Sequence, residues 1–251
     1  MRLLLILPFI LVIITASGCA KVTKERHSPD FESKIKEYND VVVLPPKVEV
    51  NMVDVVGKKK RMHDYEDHLE NIIKEEVVKA VQDKGFRVKK LHRREIWEQQ
   101  LSEDFGRLQQ SFNAAKNKLY ARVLWEEEKA FSITENLGLP AILFGGKTNS
   151  NLLLFVDYEG AIKTNGARAR DFVISILANS SAAVEDADAS FLLVAIVDAT
   201  NGNILWSNII YTAKSLYVSA INNFSSRDNV EAEKLRFLLS DILKQIRNNK
   251  N

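Results

Sequence analysis

"SFLLVAIVDATNGNILWSNIIY", residues 190–211, decides the fold class. Two β-rich runs flank Asn201-Gly202, a dipeptide whose tolerance of positive φ suits a tight hairpin turn, so the stretch reads as an antiparallel hairpin. Working outward, "NLLLFVDY" (151–158) and "AILF" (141–144) are short apolar runs of the kind shown by strands buried on both faces. "VVVLPP" (41–46) belongs with them: four apolar residues, three of them β-branched, stopped by two prolines.

Helical period fills the spaces between. From Asp64, Leu69, Ile72, Ile73, Val77, Ala80 and Val81 fall on one stripe of a 3.6-residue repeat. His63 or Asp64 stands at the cap position, Asp64, Glu66 and Asp67 suit the positive end of the helix dipole, and Gly85 ends the run. Phe86–Leu91 then returns as a strand, giving the strand–helix–strand unit of an α/β sheet. Residues 93–130 carry Trp97, Leu101, Phe105, Leu108, Phe112, Ala115 and Leu119 every three or four positions, as one bent helix or two short ones. "SITENLG" (132–138) reads as a capped turn and "GARARDFVISILAN" (166–179) as a helix. A last helix carries Leu235, Leu238, Leu239, Ile242 and Ile246. The expected architecture is α/β: a mixed sheet of about five strands flanked by helices, with an antiparallel hairpin near the C-terminus.

The first 37 residues read differently. Met1-Arg2 is a basic start, and Leu3–Ile14 is an apolar run broken only by Pro8. Twelve helical residues rise about 18 Å against roughly 30 Å of hydrocarbon, too short for a span and right for a signal peptide over 1–18. Ala16, Ser17 and Gly18 precede Cys19, the only cysteine in the chain. This resembles the lipobox of bacterial lipoproteins, although that family prefers Leu where Ala16 stands. The resemblance implies cleavage between Gly18 and Cys19 and a diacylglyceryl-cysteine as membrane anchor. Two or more acyl chains hold a protein stably where one does not. Ala20 is not the Asp associated with inner-membrane retention in enteric-type bacteria, so the implied place is the inner leaflet of the outer membrane, facing the periplasm. Residues 19–37, polar and without a sustained apolar face, read as a flexible tether of about 25 Å reach. Residues 38–251 read as a single α/β domain.

Together, the lipidated cysteine, "VVVLPP" leading into a helix that stops at "GF", and the late "VDATNGNILW" hairpin resemble the envelope lipoproteins related to the curli-secretion channel, the penicillin-binding-protein activators and the amino-terminal domain of TolB-type proteins. That resemblance implies a binding or assembly module with helices on both faces of the sheet and no known chemistry.

Chemistry read directly from the residues agrees. A net charge of +2, or +1 once Arg2 is removed, gives no basic face for nucleic acid. "GGKT" (145–148) lacks the earlier glycine of a phosphate-binding loop, since Ala141 occupies its place. His63 with Asp67, and Asp64 with His68, stand at i, i+4 spacing suited to a metal, but without a third ligand at recognised spacing. His27 and His92 lie in tether and strand-end contexts. No enzyme, metal or cofactor is expected. "GKKKR" (57–61) reads as a solvated loop, with contact to lipid phosphates as its alternative. Arg168 and Arg170 read as a wet helix face or a partner contact, and Trp206 as core or a partner anchor.

Three functions follow as expectations: an accessory or assembly factor of an envelope complex; an oligomeric secretion-channel component of the curli type; an activator of a peptidoglycan synthase. Envelope proteins and further copies of the chain are the expected partners. The channel would need amphipathic strand pairs alternating over about ten residues, whereas 93–137, the longest candidate insertion, has helical period and many charges. Replacing Cys19 with Ser is expected to leave an uncleaved precursor at the inner membrane, read by immunoblot of fractionated cells; normal processing and release would remove the anchor.

Overall fold

The computed structural model describes residues 22–120, 132–164, 189–212, 224–244 and 246. Cys19, Gly18 and the helix expected over 166–179 lie outside them. Within them are eight strands and six helices: β1 (Val22–His27), α1 (Phe31–Glu37), β2 (Asp40–Val43), β3 (Lys47–Val53), β4 (Lys59–Arg61), α2 (His63–Asp83), β5 (Arg87–Lys90), α3 (Arg93–Glu98), α4 (Ser102–Tyr120), α5 (Leu139–Thr148), β6 (Leu152–Lys163), β7 (Ala189–Asp198), β8 (Ile204–Thr212) and α6 (Phe224–Ile242).

All eight strands form one mixed sheet in the order β1-β8-β7-β6-β2-β5, with β3 also on β6 and β4 on β3. The class is the one expected; the strand count is eight, not about five. The extra strands are polar pieces at the margins. β1 ("VTKERH") and β4 ("KKR") carry almost no apolar signal because each only extends a pairing already begun, β1 on β8 and β4 on β3. Thus Lys59–Arg61, expected as loop, is strand. Much of the expected tether is folded too: Val22–His27 pairs along β8, and α1 buries Phe31 and Ile35. Two apolar residues in a polar stretch are too few to register as periodicity, yet Phe31 stacks on Trp206 at 6.4 Å.

β6 is paired along both edges. Its first half runs parallel to β2 and its second half parallel to β3, while β7 lies antiparallel on the other edge. With both faces covered, its first five residues, Leu152–Val156, are apolar without alternation. Leu152, Leu154, Val156 and Tyr158 enter one core layer, where α2 supplies Leu69, Ile73 and Val77 and α6 supplies Leu235, Leu239 and Ile242. Leu153 and Phe155 enter the other, beneath α4 and α5; there Phe112 stacks on Phe155 at 4.1 Å. Leu69, Ile73 and Val77 are fully buried, each stabilising by roughly 1.5–3 kcal/mol.

The expected strand over 141–144 is helix instead. Pro140 sits in the first turn of α5, and Ala141, Phe144, Gly145 and Thr148 face inward at i, i+3, i+4 and i+7. Four apolar residues in a row fit either period, and the inward spacing shows only over the full ten. Residues 132–138 are no capped helical turn: Ser132 bridges to His27 and Asn136 to Asn203. Over 93–120 the two-helix alternative holds, the break falling at Gln99-Gln100, with Gln100 at φ 57°. The hairpin of β7 and β8 stands as expected, but its loop is wider than two residues. Gly202 takes φ 82°, and Asp198 accepts hydrogen bonds from Thr200 N and Gly202 N.

Gly145 is a packing glycine. A Cβ there would lie 2.3 Å from Ala199 Cβ and 3.1 Å from Ser150 O. Gly145→Ala is therefore expected to destabilise by about 1–3 kcal/mol in urea unfolding, although alanine in an open helix position would gain about 1 kcal/mol.

Candidate functional site

Strand directions divide the sheet into two ends. β1 and β8 register Val22 opposite Tyr211, β8 and β7 register Tyr211 opposite Phe191, and β7 and β6 register Phe191 opposite Glu159. On the other edge of β6, Val53 lies opposite Lys163. The start of β1 and the β3–β4 turn therefore share one end. The opposite end holds the β7–β8 turn and α5, because Leu137 N donates to Gly202 O at 2.8 Å and Gly145 abuts Ala199. β6 has twelve residues, so the two ends are roughly 40 Å apart.

Toward the β1 end, the layer under α4 turns polar. Lys116 of α4 pairs with Asp157 of β6, which is almost fully buried, and reaches Glu159 at 3.9 Å. Arg26 of β1, 1% exposed, donates to Leu119 O and lies 4.8 Å over the Tyr120 ring, while Tyr120 and Ser207 share a 2.7 Å hydrogen bond. Burial pushes the Glu159 carboxyl up and the charge of Asp157 adds to it. The Tyr120 and Tyr211 phenols are also raised, chiefly by burial. These groups bind α4's last turn to the sheet. They supply ion pairing and hydrogen bonding between α4, β1, β6 and β8.

On the other face, three glutamates of α2 and α6 join elements. Glu66 accepts from Val50 N at 2.9 Å and from Arg61 through two nitrogens, and contacts His63 at 3.1 Å. Burial pushes its carboxyl up, but the hydrogen bonds from Arg61 and Val50, with Arg61's charge and His63, outweigh it and hold it below the usual range. Glu231, fully buried, accepts from Tyr65 at 2.8 Å and meets His68 at 3.0 Å. Glu76 takes a double hydrogen bond from Arg236. A groove of about 390 Å³ runs beside that pair, lined by Lys79, Asp83, Lys84 and Ser240 among others. Its mixed charge favours no single ligand class.

The helical pairs of His63 with Asp67 and Asp64 with His68 are not brought together as metal sites. His63 turns to Glu66 and His68 to Glu231, on different elements, and among the described residues no group of three or more His, Cys, Asp or Glu could hold a metal. Trp206 is fully buried and donates to Glu25 at 2.6 Å, so it is core and not a partner anchor. Arg168 and Arg170, like Cys19 and Gly18, lie outside the described residues. The sequence reading missed Asp157, Lys116, Arg26 and Glu231. Asp157 had a usable signal: a lone carboxylate in "NLLLFVDY" must find a cation if the run is buried.

Large apolar side chains also reach the surface: Trp97, expected on the inward stripe of its helix, and Phe237 are exposed singly. Leu139, Ile142 and Leu143 stand on the outer side of α5, 62%, 37% and 42% exposed, at i, i+3 and i+4 spacing. Among the described residues, no helix is long and apolar enough to cross a membrane.

No family model and no curated protein matches the chain. Solved structures similar to it include a single-substitution variant of the PelC dodecamer from Paraburkholderia phytofirmans and the PelC dodecamer from that organism in a second crystal form. The variant is 11% identical, with 91% of this chain and 99% of that chain covered at a TM-score of 0.37. The second is 11% identical, with 89% and 97% covered at 0.36. Values this low mark a distant similarity.

Two tests bear on the buried charges. Lys116→Met alone strands Asp157 and is expected to cost about 3–5 kcal/mol; adding Asp157→Leu should recover most of it in a double-mutant cycle by urea unfolding. Glu66 has a lowered folded pKa, so its contribution is complete above the unfolded value of about 4.3 and is lost as pH falls through the folded value. Glu66→Gln is expected to flatten that part of the acid limb in stability measured against pH.

Proposed function

We propose that the chain is a lipid-anchored subunit on the periplasmic side of the outer membrane, serving as an accessory or assembly factor of an envelope complex. One observation carries the reading. The apolar stripe of Leu139, Ile142 and Leu143 stands at the end of the sheet opposite the start of β1, and Val22 is only three residues after Cys19. With cysteine lipidation as the lipobox resemblance implies, the anchor is at one end and an apolar docking face at the other, turned away from the membrane. Three residue steps reach about 10 Å, well under the 25 Å of a free tether, so the domain sits on its bilayer. That short reach argues against the synthase-activator reading, which needs a partner across the wall mesh.

A second reading has the stripe covered by another copy of the chain, as an oligomeric component of a secretion channel. Both readings require the stripe to be buried in the cell. A single uncovered helix side of this kind suits protein contact, because isolated exposed apolar residues are ordinary but a contiguous helical stripe is not.

Extraction of the native protein in mild detergent, followed by particle mass and identification of components, separates the two. Defined envelope proteins in the particle are expected for the accessory role, and a large homo-oligomer, of the order the PelC dodecamers show, for the channel role. Ile142→Lys with Leu143→Glu is expected to reduce either particle to the single chain while leaving its circular dichroism unchanged. A chain that is monomeric before substitution, with no partner after crosslinking, would sink both.

A further inference from the structure

The β3–β4 turn, Asp54–Lys58, lies at the same end of the sheet as the start of β1. Val53 is opposite Lys163 on β6, and Thr164 N donates to Val53 O at 2.9 Å. Across the sheet, β1 and β3 are separated by β8, β7 and β6, four strand steps or roughly 19 Å. At its tip the turn exposes two adjacent apolar side chains: Val55 is 45% and Val56 83% exposed, the latter the largest exposure among the large hydrophobic side chains described. Immediately behind them come Lys58, Lys59, Lys60 and Arg61, all exposed.

The tip is held in shape. Asp54 Oδ1 accepts from Val56 N and from Lys58 N, both at 2.9 Å, Gly57 N donates to Asp54 O at 3.0 Å, and Asp54 N donates to Lys58 O at 3.1 Å. These bonds tie the one carboxylate of the turn into its backbone. Arg61 is held by Glu66, which leaves the three lysines as the positive charge around the tip.

We infer that the β3–β4 turn is a second membrane contact, in which Val55 and Val56 enter the headgroup–acyl boundary of an anionic bilayer while Lys58, Lys59 and Lys60 pair with lipid phosphates. The inference rests on the anchored reading above for which end of the sheet faces the membrane. An apolar tip backed by lysines is the arrangement that inserts shallowly and gains from surface charge. Each lysine near an anionic surface strengthens binding about fivefold, and the gain falls within a Debye length. The lipid on residue 19 and the turn would then hold the sheet through two strands, β1 and β3, about 19 Å apart across the sheet, fixing how the domain stands on the bilayer, where one anchor would let it swivel. The α5 stripe is thereby pointed into the periplasm.

The test uses the full chain carrying Val56→Cys, purified in detergent, labelled with an environment-sensitive dye and reconstituted with phosphatidylethanolamine–phosphatidylglycerol vesicles. Cys19 is the only native cysteine, so lipidation leaves residue 56 as the sole free thiol. Mass spectrometry of the N-terminal peptide reports the state of residue 19 separately. Thr200→Cys, at the far end of the sheet, is the reference position. Blue-shifted emission at 56, shielded from an aqueous quencher, with water-like emission at 200, is the expected result. Lys58→Gln, Lys59→Gln and Lys60→Gln together should move the emission at 56 back toward the water value, and zwitterionic vesicles should do the same. Water-like emission at 56 on vesicle-bound, lipidated protein overturns the turn contact and leaves the anchor standing. Shifted emission at 56 in a vesicle-bound chain that also carries Cys19→Ser, where residue 56 is again the sole thiol, shows that the turn contact stands without the anchor. A chain that fails to float with the vesicles overturns both.

Discussion

β6 is hydrogen-bonded along both edges, and its residues face a core layer on either side. That constraint shapes everything around it. The parallel edge is served by two strands in succession, because Pro45 and Pro46 interrupt the chain between β2 and β3 and a proline cannot donate into a ladder. Parallel strands must be joined by a crossover, and α2 is the one between β3–β4 and β5. The antiparallel edge needs no such link, so β7 and β8 follow as a hairpin and β1 closes on it. Each face then requires a helical cover, which α2 with α6 and α4 with α5 provide. A change that slips β6 by one residue would exchange Leu152, Leu154 and Val156 with Leu153, Phe155 and Asp157, and place a carboxylate between α2 and the sheet.

Charges enter this core only at defined places. Under α4, Arg26 and Ser207 stand level with Phe155, and Asp157 with Lys116 one step nearer the start of β1, among the apolar Leu193 and Ile209 of the same layer. On the other face Glu66, Glu76 and Glu231 are each met by partners from another element. An ion inside the fold is tolerable when its partner is fixed, and a fixed partner sets the register between two elements. Glu66 illustrates it: bonding Val50 N and Arg61 at once, it sets α2 against β3 and β4. The turn carried by those two strands consequently projects in one direction.

Legibility in the sequence followed the number of apolar residues each element buries. α2, with Leu69, Ile73, Val77 and Val81 inward, and the β7–β8 hairpin announce themselves because their patterns run long enough to exclude alternatives. α5 did not, since "AILF" alone fits strand or helix, and the inward residues Gly145 and Thr148 that complete its helical face are not apolar markers. β1 and β4 were hidden because pairing to an existing edge, and not an apolar face of their own, makes them regular, and α1 because Phe31 and Ile35 are too few to show a period. For the surface, the position of Trp206 was undecidable in sequence: a buried ring and a docking ring share one residue type, and only the hydrogen bond to Glu25 and the stack on Phe31 place it inside.

The folding of residues 22–37 changes what an N-terminal lipid would do mechanically. A long flexible leash leaves a domain free in orientation, and any surface can then meet any partner. A strand that begins at Val22, three residues after Cys19, would transmit the position of a lipid on that cysteine into the sheet, because β1 is paired to β8 from Val22 onward. With β8, β7 and β6 laddered beyond it, such a lipid would set one end of the sheet near the bilayer and the other away from it. The division of the surface agrees with that geometry: lysines and two exposed valines at the near end, an apolar helical stripe at the far one. In the proposed anchoring, a partner seeking the stripe of α5 would approach from the side away from the membrane, with no need for the domain to leave it.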